Sequence, residues 1–423
     1  MCSAVKDWLY THETVTIDNA CGRILAQDVF ARCDVPSFRR STVDGYAVNY
    51  KNLSGAGENS PAFLRLAGAV KIGESTSLHI TDGECVEVPT GGMIPCGANA
   101  VVMVEYTEDF GKMGIAISKP VSIGENIVEV GDDIKNSSCV LKAGTKMAPK
   151  DIGALAAVGA FYVTVYNKPT VAIISTGDEL VSCSASCIAE IPDGKVRDIS
   201  SVTLRAMAAQ YGLCVTQVCA VPDDISLLEA TLKAASQQND IVVISGGSSY
   251  GKYDNTAKVI DAVSSPGIFT HGLALKPGKP TILAVDDACK TLFLGLPGHP
   301  VSAMIVFELL LEKLQCGLIL DSAVNVHNSQ SHPNVTASLY GGLMHRHKLP
   351  IPARLVTNVP GEGGKLTVYP CAISYGDGEY RATPVFGKSA MITTLVQADG
   401  YFVVDANTEG LYEGMFVDVF MFG

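Results

Sequence analysis

The sequence predicts a multidomain chain of mixed α+β and α/β class: a discontinuous segment carrying an inserted β-rich domain, then a parallel-sheet α/β domain, then a C-terminal β-domain, plausible as a β-barrel. Three observations predict it. From about residue 166 to 325, apolar strands alternate with helical stretches, and three of the strands run into a glycine-containing turn, the texture of a sheet covered on both faces. Between Cys33 and Lys119, short β-rich runs such as 84–88 and 100–106 alternate with Gly/Pro turns. Beyond Ser331, short strands recur between turns such as Gly361-Glu362-Gly363-Gly364 and Tyr375-Gly376-Asp377-Gly378, the pattern of a small β-domain.

Composition agrees. A chain of 423 residues is too long for one ordinary core; at roughly 100–200 residues per domain, two to four are expected. With 47% apolar and 17% charged residues it can bury large cores and is not of disordered type. The net charge of −12 lacks the basic footprint of a duplex-binding protein, so no nucleic-acid partner is expected. That balance leaves room for a local basic pocket. The thirteen cysteines are scattered without a CxxC pair. Their odd number and the absence of a secretory leader point to reduced thiols in a cytoplasmic protein, most of them small core residues. The apolar run 301–311 is interrupted by Glu308 and too short for a bilayer, so it reads as a buried helix and no membrane role is expected.

The elements divide the chain. Residues 1–33 begin with an amphipathic helix and a strand-like stretch, and 120–152 return to that texture, so 34–119 reads as an insertion into a discontinuous segment. Residues 153–325 form the α/β domain and 331–423 the barrel. In the α/β domain, strands are expected at 170–174, 213–221, 240–244 and 291–295. Helices are expected at 201–211, stopped by Gly212, at 225–236 and at 301–314. Ligands of such sheets bind beyond the carboxyl ends of the strands.

The chemistry-bearing residues cluster at those ends. Ser175-Thr176-Gly177-Asp178-Glu179 follows the first strand; by itself it reads as a helix start, with Ser175 or Thr176 as cap. Ser245-Gly246-Gly247-Ser248-Ser249-Tyr250-Gly251-Lys252-Tyr253-Asp254 follows another; its glycines allow backbone amides to face a phosphate or other oxyanion, against a flexible connection as the plainer reading. Lys276-Pro277-Gly278-Lys279-Pro280 holds two cations on a proline-stiffened loop suited to an anion, or is a solvated turn. Gly295-Leu296-Pro297-Gly298-His299-Pro300-Val301-Ser302 leads into the apolar helix, where amides again can meet an anion. Asp44, Asp132, Asp133, Asp223 and Asp224 each read alone as turns or caps; converging, they could hold Mg²⁺. Other classes fail on detail. The run 246–252 matches GxxxxGK, but Tyr253 stands where a P-loop needs Ser or Thr. The GxSxG match 247–251 would need a helix to start at once, and residues 252–255 read as continuing loop, so a Ser249 nucleophile is not favoured. No HExxH or Cys/His cluster points to zinc.

Taken in order, several blocks resemble the molybdopterin molybdenumtransferase family, which includes bacterial molybdenum cofactor insertases and the C-terminal domain of gephyrin. They are Pro36-Ser37-Phe38-Arg39-Arg40-Ser41-Thr42-Val43-Asp44-Gly45-Tyr46-Ala47, Thr90-Gly91-Gly92-Met93-Ile94-Pro95, Gly131-Asp132-Asp133-Ile134, then 175–179, 245–254, 276–280 and 295–302, and Phe386-Gly387-Lys388-Ser389. The resemblance runs over nearly the whole chain. It implies an elongated segment formed from both sides of the insertion, an α/β domain related to pterin-adenylylating enzymes, and a C-terminal β-barrel. It also implies a homodimer with its site between the α/β domain of one subunit and the inserted domain of the other. The implied reaction is Mg²⁺-dependent insertion of molybdate into adenylylated molybdopterin, with release of AMP. The pterin adenylyltransferase and acceptor molybdoenzymes are implied partners.

Carried over by motif, the family's catalytic positions fall on Asp44, Thr90, Asp133, Glu179, Asp223 and Asp254, with Asp223, Asp254 and Glu179 as metal candidates. Ser245, Gly246, Gly247 and Ser249 are expected to bind the pterin phosphate or nucleotide. Lys276 and Lys279 are expected to face the oxyanion, and Pro297, Pro300 and Ser302 and, from the barrel, Arg354 and Ser389 match further binding positions of the family. The chain departs from the family at Ile199-Ser200 in the Asp-Ser-Asn element, at Asp132, at Arg39, at Ser248 and Tyr250, and at His299. Tungstate in place of molybdate, adenylylation of the pterin from ATP, and a non-enzymatic cofactor-binding scaffold are the competing functions.

Overall fold

The computed structural model describes residues 5, 8–181, 191–246, 252–324 and 349–422, with the side chains of 252–254 and 316–324 outside that description. Two compact units are present: Val15–Cys21 with Gln27–Val163, and Met1–Thr14 with Gly22–Ala26 and Thr164–Gly423.

In the first of these, six strands form one sheet: β1 (Gly45–Val48), β2 (Ala62–Ala69), β3 (Glu84–Val88), β4 (Ala100–Met103), β5 (Thr107–Asp109) and β6 (Ile115–Ile117), in the order β4-β1-β3-β2-β6-β5. Alternate residues divide between two cores, as a pleated strand requires. Ala47, Val86, Val88 and Val101 enter one; Val48, Cys85, Ala100 and Val102 enter the other. Around this sheet the chain leaves and comes back: Arg40–Ser41 pairs antiparallel with Ile127–Val128, and Val29–Phe30 with Cys139–Leu141. Arg39 bonds Glu129 at 2.9 Å and the Ala98 carbonyl at 3.1 Å, which gives it a local structural use. Helix α1 (Pro149–Ala157) opens on proline, whose missing N–H costs nothing there.

The other unit holds the α/β sheet: β7 (Thr170–Thr176), β8 (Cys214–Val221), β9 (Ile241–Gly246), β10 (Pro266–His271), β12 (Ile282–Asp286) and β13 (Thr291–Leu296), ordered β8-β7-β9-β13-β12-β10. Four neighbours, β8, β7, β9 and β13, are parallel as the sequence predicts. The sheet is nevertheless mixed, because β12 runs antiparallel to both β13 and β10. An all-buried strand such as Ile282–Asp286 has the same apolar texture in either direction, so its direction is not written in its composition.

Helices cover both faces: α2 (Ile199–Gln210), α3 (Ile225–Ser236), α4 (Lys252–Val263) and α5 (Pro300–Val324). Val171, Ile173, Val243 and Leu294 face α2 and α5; Ala172, Ile174, Val242 and Phe293 face α3 and α4. Helix α5 also lies against Val368, Tyr401 and Phe420 of the barrel, which explains its apolar circumference. Its two buried acids meet phenols, Glu308 the Tyr211 hydroxyl at 2.8 Å and Glu312 the Tyr401 hydroxyl at 3.1 Å. Among the described residues no helix is long and apolar enough to cross a membrane.

Strands β14 (Ile351–Leu355), β15 (Leu366–Gly376), β16 (Glu379–Pro384), β17 (Gly400–Val404) and β18 (Phe416–Met421) close a five-stranded barrel in the order β15-β16-β14-β18-β17 and back to β15. A short strand of the α/β region, β11 (Leu275–Lys276), adds to its edge beside β15, with Lys276 opposite Thr367. The barrel is thereby stitched to the strand-end loops.

Three expectations need correction. Ser175 and Thr176 do not cap a helix; β7 runs through Thr176, and the next helix among the described residues is capped by Asp198. Residues 252–255 are helical, not loop, so the missing-helix argument against a Ser249 nucleophile fails. Among the described cysteines only Cys85 and Cys371 are buried, and six are exposed. All nine are free thiols.

Candidate active site

The carboxyl ends of β7, β9 and β13 open into one cavity of about 540 Å³, as the parallel arrangement requires. Ser175, Thr176 and Gly177 line it from the end of β7, Ser245 and Gly246 from β9, and Gly298 and Pro300 from the turn into α5. Glu179, Asp198 and Asp223 bring carboxylates, and Arg197 brings a cation. The floor is held by a buried relay. Ser175 Oγ donates to Asp198 Oδ1 at 3.1 Å, and the same oxygen accepts the Ser201 amide at 3.0 Å, capping α2. Asp178 accepts the Asp223 amide at 3.0 Å, which ties the loop after β7 to the loop after β8. Thr176 is 4% exposed, and its Oγ1 has no hydrogen-bond partner in the described structure. Gly246 has φ +135°, and a Cβ there would stand 2.4 Å from that hydroxyl, so only glycine lets these two strand ends meet.

A second cavity, about 480 Å³, lies where the α/β domain meets the barrel. Lys276 and Lys279 line it from the KPGKP loop, Val301 and Ser302 from the first turn of α5, and Lys365, Thr367 and Ser389 from the barrel. Gly298, Pro300 and Ala390 face the first cavity, while Val301, Ser302 and Ser389 face the second. The two therefore share a wall, built from the start of α5 and the barrel segment at 389–390. His299 Nδ1 lies 2.8 Å from Ser389 Oγ within that wall, and the Val301 amide donates to the Ser389 carbonyl at 3.1 Å. Lys276 Nζ pairs with Glu362 Oε2 at 2.9 Å, and Lys365 pairs with the other oxygen of the same carboxylate. Those hydrogen bonds hold Glu362 down at about 2 and raise Lys276 above the usual ammonium range.

In the inserted sheet, Asp44 and Thr90 meet although 46 residues apart. Asp44 Oδ1 accepts the Thr90 amide at 2.6 Å and its hydroxyl at 3.0 Å. Those bonds keep the Asp44 carboxyl below the usual range. Asp133 is exposed, its amide bonded to the Val35 carbonyl at 3.0 Å.

Of the residues expected in the site, Glu179, Asp223, Ser245, Gly246 and Pro300 share the first cavity, and Lys276, Lys279, Ser302 and Ser389 the second. Pro297 lines neither. Gly247 and Ser249 lie outside the described residues; Asp254 is in the first turn of α4, its side chain outside the description. Arg354 is elsewhere in the barrel: it bonds Glu379 at 2.7 Å and the Gly414 carbonyl at 2.8 Å, and stacks on Phe416. The barrel's cation at the second cavity is Lys365. Glu362, Lys365 and Thr367 were missed because Gly361-Glu362-Gly363-Gly364 reads as an ordinary turn; the alternation of charge beside it was the available signal.

Comparison with known proteins bears on all three regions of the chain. Residues 2–159 match the MoeA N-terminal region (domain I and II), 172–315 a probable molybdopterin binding domain, and 352–422 the MoeA C-terminal region (domain IV). A putative molybdopterin biosynthesis protein of Methanocaldococcus jannaschii is 30% identical over 96% of this chain and 91% of its own length. A molybdopterin molybdenumtransferase of Staphylococcus aureus is 34% identical over 72% of each chain. In three dimensions, the crystal structure of a molybdopterin biosynthesis MoeA protein from Pyrococcus horikosii matches with a TM-score of 0.78 and 31% identity, covering 100% of this chain and 97% of that one. The chain belongs to the molybdopterin molybdenumtransferase family and is an enzyme of molybdenum cofactor biosynthesis.

Proposed function

We propose that the enzyme inserts molybdate into adenylylated molybdopterin, with the phosphoanhydride in the strand-end cavity and the oxyanion in the lysine cavity next to it. The observation that carries this reading is the shared wall. A carboxylate- and hydroxyl-lined cavity beside a lysine-lined one suits a reaction that breaks a P–O–P bond and delivers an oxyanion a few ångströms away. Cleavage adds water across the anhydride and AMP leaves; the two dithiolene sulfurs then replace one oxygen of molybdate, which departs with their two protons as water. Ser245, Gly246, Gly247 and Ser249 would hold phosphate by amides and hydroxyls, as turns at strand ends do. Lys276, Lys279, Ser302 and Ser389 would hold the oxyanion, with the start of α5 adding its positive dipole end. Pro297 and Pro300 would stiffen the turn between the two.

Glu179 and Asp223 line one cavity and are hard oxygen donors, which suits Mg²⁺; that ion commonly takes one or two protein carboxylates and completes its shell with water and phosphate. Asp254 would be the third donor. Among the described residues, no three His, Cys, Asp or Glu gather into a closed metal cage. When bound, the ion supplies charge neutralisation at the phosphates. Asp44, Thr90 and Asp133 belong to the same reaction in this reading, and the working form is a cytoplasmic homodimer that receives its substrate from a pterin adenylyltransferase and serves acceptor molybdoenzymes.

Incubating the folded protein with adenylylated molybdopterin, molybdate and Mg²⁺ should release AMP. Asp223→Ala and Lys279→Ala should abolish release while leaving the fold intact. Absence of AMP release from folded wild type would sink the reading. Tungstate in place of molybdate tests the choice of metal, and sedimentation velocity tests the dimer. Formation of the adenylylated pterin from ATP would instead support the adenylyltransferase reading; the family matches over 2–159 and 352–422, outside the α/β domain, favour insertion.

A further inference from the structure

The lysine cavity is lined by three ammonium groups, Lys276, Lys279 and Lys365, and by a single carboxylate, Glu362. Glu362 and Lys365 are three residues apart, and that contact alone would be an ordinary turn ion pair. The reach to Lys276 is different. It joins a barrel loop to a strand 86 residues earlier in the chain, at 2.9 Å, so one carboxylate spans two of the three cations. Beside the bridge, Thr367 lines the same cavity; it is 2% exposed, and its Oγ1 has no hydrogen-bond partner in the described structure. A buried hydroxyl without a partner is costly unless a ligand or water completes it. A carboxylate bound to two lysines has the chemistry of an oxyanion already seated. A dianion is attracted to the lysines about twice as strongly as a monoanion of the same size, so it competes better with that carboxylate.

We propose that Glu362 is a specificity-determining residue of the oxyanion site: its carboxylate occupies the lysine cradle when no oxyanion is bound and gives up Lys276 when one enters, so that a tetrahedral dianion displaces it and a monoanion does not. Lys365 and Thr367 complete the cradle, as ammonium and hydroxyl donors. This rests on the assignment of the lysine cavity to the oxyanion. The low position of the Glu362 carboxyl keeps it charged throughout the working pH range. Neither Lys276–Glu362 nor Lys365–Glu362 is deeply buried, so removing the carboxylate should leave the fold intact.

The test is calorimetric titration of the full chain, at fixed ionic strength, with molybdate and with perrhenate, a tetrahedral oxyanion of similar size and one charge less. Wild type should bind molybdate and not perrhenate. Glu362→Gln should bind molybdate about tenfold more tightly, the effect of one unit charge a few ångströms away, and should acquire perrhenate binding. Lys365→Met should weaken molybdate binding about tenfold while Glu362 still bridges to Lys276. Molybdate binding to wild type with no gain in Glu362→Gln and no loss in Lys365→Met would overturn the role of Glu362 and leave the oxyanion site standing. No molybdate binding to wild type would remove both.

Discussion

Gly278 stands between the two lysines of the KPGKP loop, and replacing it by alanine should loosen the oxyanion site without touching a charge. Its φ is +118°, outside the range side chains ordinarily adopt, and a Cβ built there would lie 2.3 Å from Val306 Cγ2 on α5. Carbon atoms pack at roughly 3.5–4.0 Å, so the overlap exceeds an ångström. Backbone strain of this kind costs about 1–3 kcal/mol and overpacking a similar amount. The expected loss for Gly278→Ala is therefore about 3 kcal/mol, or roughly 6–12 °C in Tm for a unit of this size. Val306 is 1% exposed on a helix held between sheet and barrel, so the loop is the part that moves. An ångström of displacement at Lys276 and Lys279 should cost on the order of 10²-fold in AMP release. Differential scanning fluorimetry and the AMP assay measure the two effects. Adding Val306→Ala should relieve the overlap, giving a favourable coupling of about 1–3 kcal/mol in the double-mutant cycle. Gly278→Ala melting within about 1 °C of wild type, with unchanged turnover, would refute the reasoning.

Three further outcomes are expected. Asp198→Ala removes the cap of α2 and the partner of Ser175 together, and should lower stability by about 1–3 kcal/mol in urea unfolding; an unchanged midpoint would show that the relay is ornamental. The Glu362 carboxyl titrates at about 2 in the folded protein against 4.5 for an ordinary glutamate, so its ion-pair contribution is complete above the higher value and disappears as pH falls through the lower one. A ¹³C carboxyl titration with its midpoint near the ordinary value would contradict the bridge to Lys276 and Lys365. Burial pushes the Cys85 and Cys371 thiols up to about 12, so at neutral pH iodoacetamide should label Cys21, Cys33 and Cys139 while sparing these two until the protein is unfolded. Labelling of Cys371 at the rate of Cys139 would count against that packing.

Much of this site is legible in the sequence. The alternation of apolar strands and helices placed glycine-bearing turns at the carboxyl ends of one sheet, and those turns line the strand-end cavity. Helix α3 covers the predicted 225–236 because its apolar period and its Asp224 cap are local signals, the cap accepting the Leu227 amide at 2.9 Å. The helix at Lys252 was not legible, since Tyr253, Asp254 and Asn255 carry weak helical preference and tertiary burial of Val259 and Ile260 supplies what propensity does not. Cysteine positions misled for a related reason: small and moderately apolar, cysteine obeys no period, so composition does not say which side of a surface it takes.

What the sequence by itself determined are features that depend on near neighbours or on ordered motifs: the strands and their turns, the glycines at Gly246 and Gly278, the two lysines of one loop, and the family. What only the tertiary structure decided are pairings between distant residues. It brought Asp44 to Thr90, turned β12 against its neighbours, sent Arg354 to Glu379, and set Glu362 of a barrel turn between Lys276 and Lys365. Charge and hydroxyl groups act over a few ångströms in space, and the chain distance between two residues does not tell which of them will come that close.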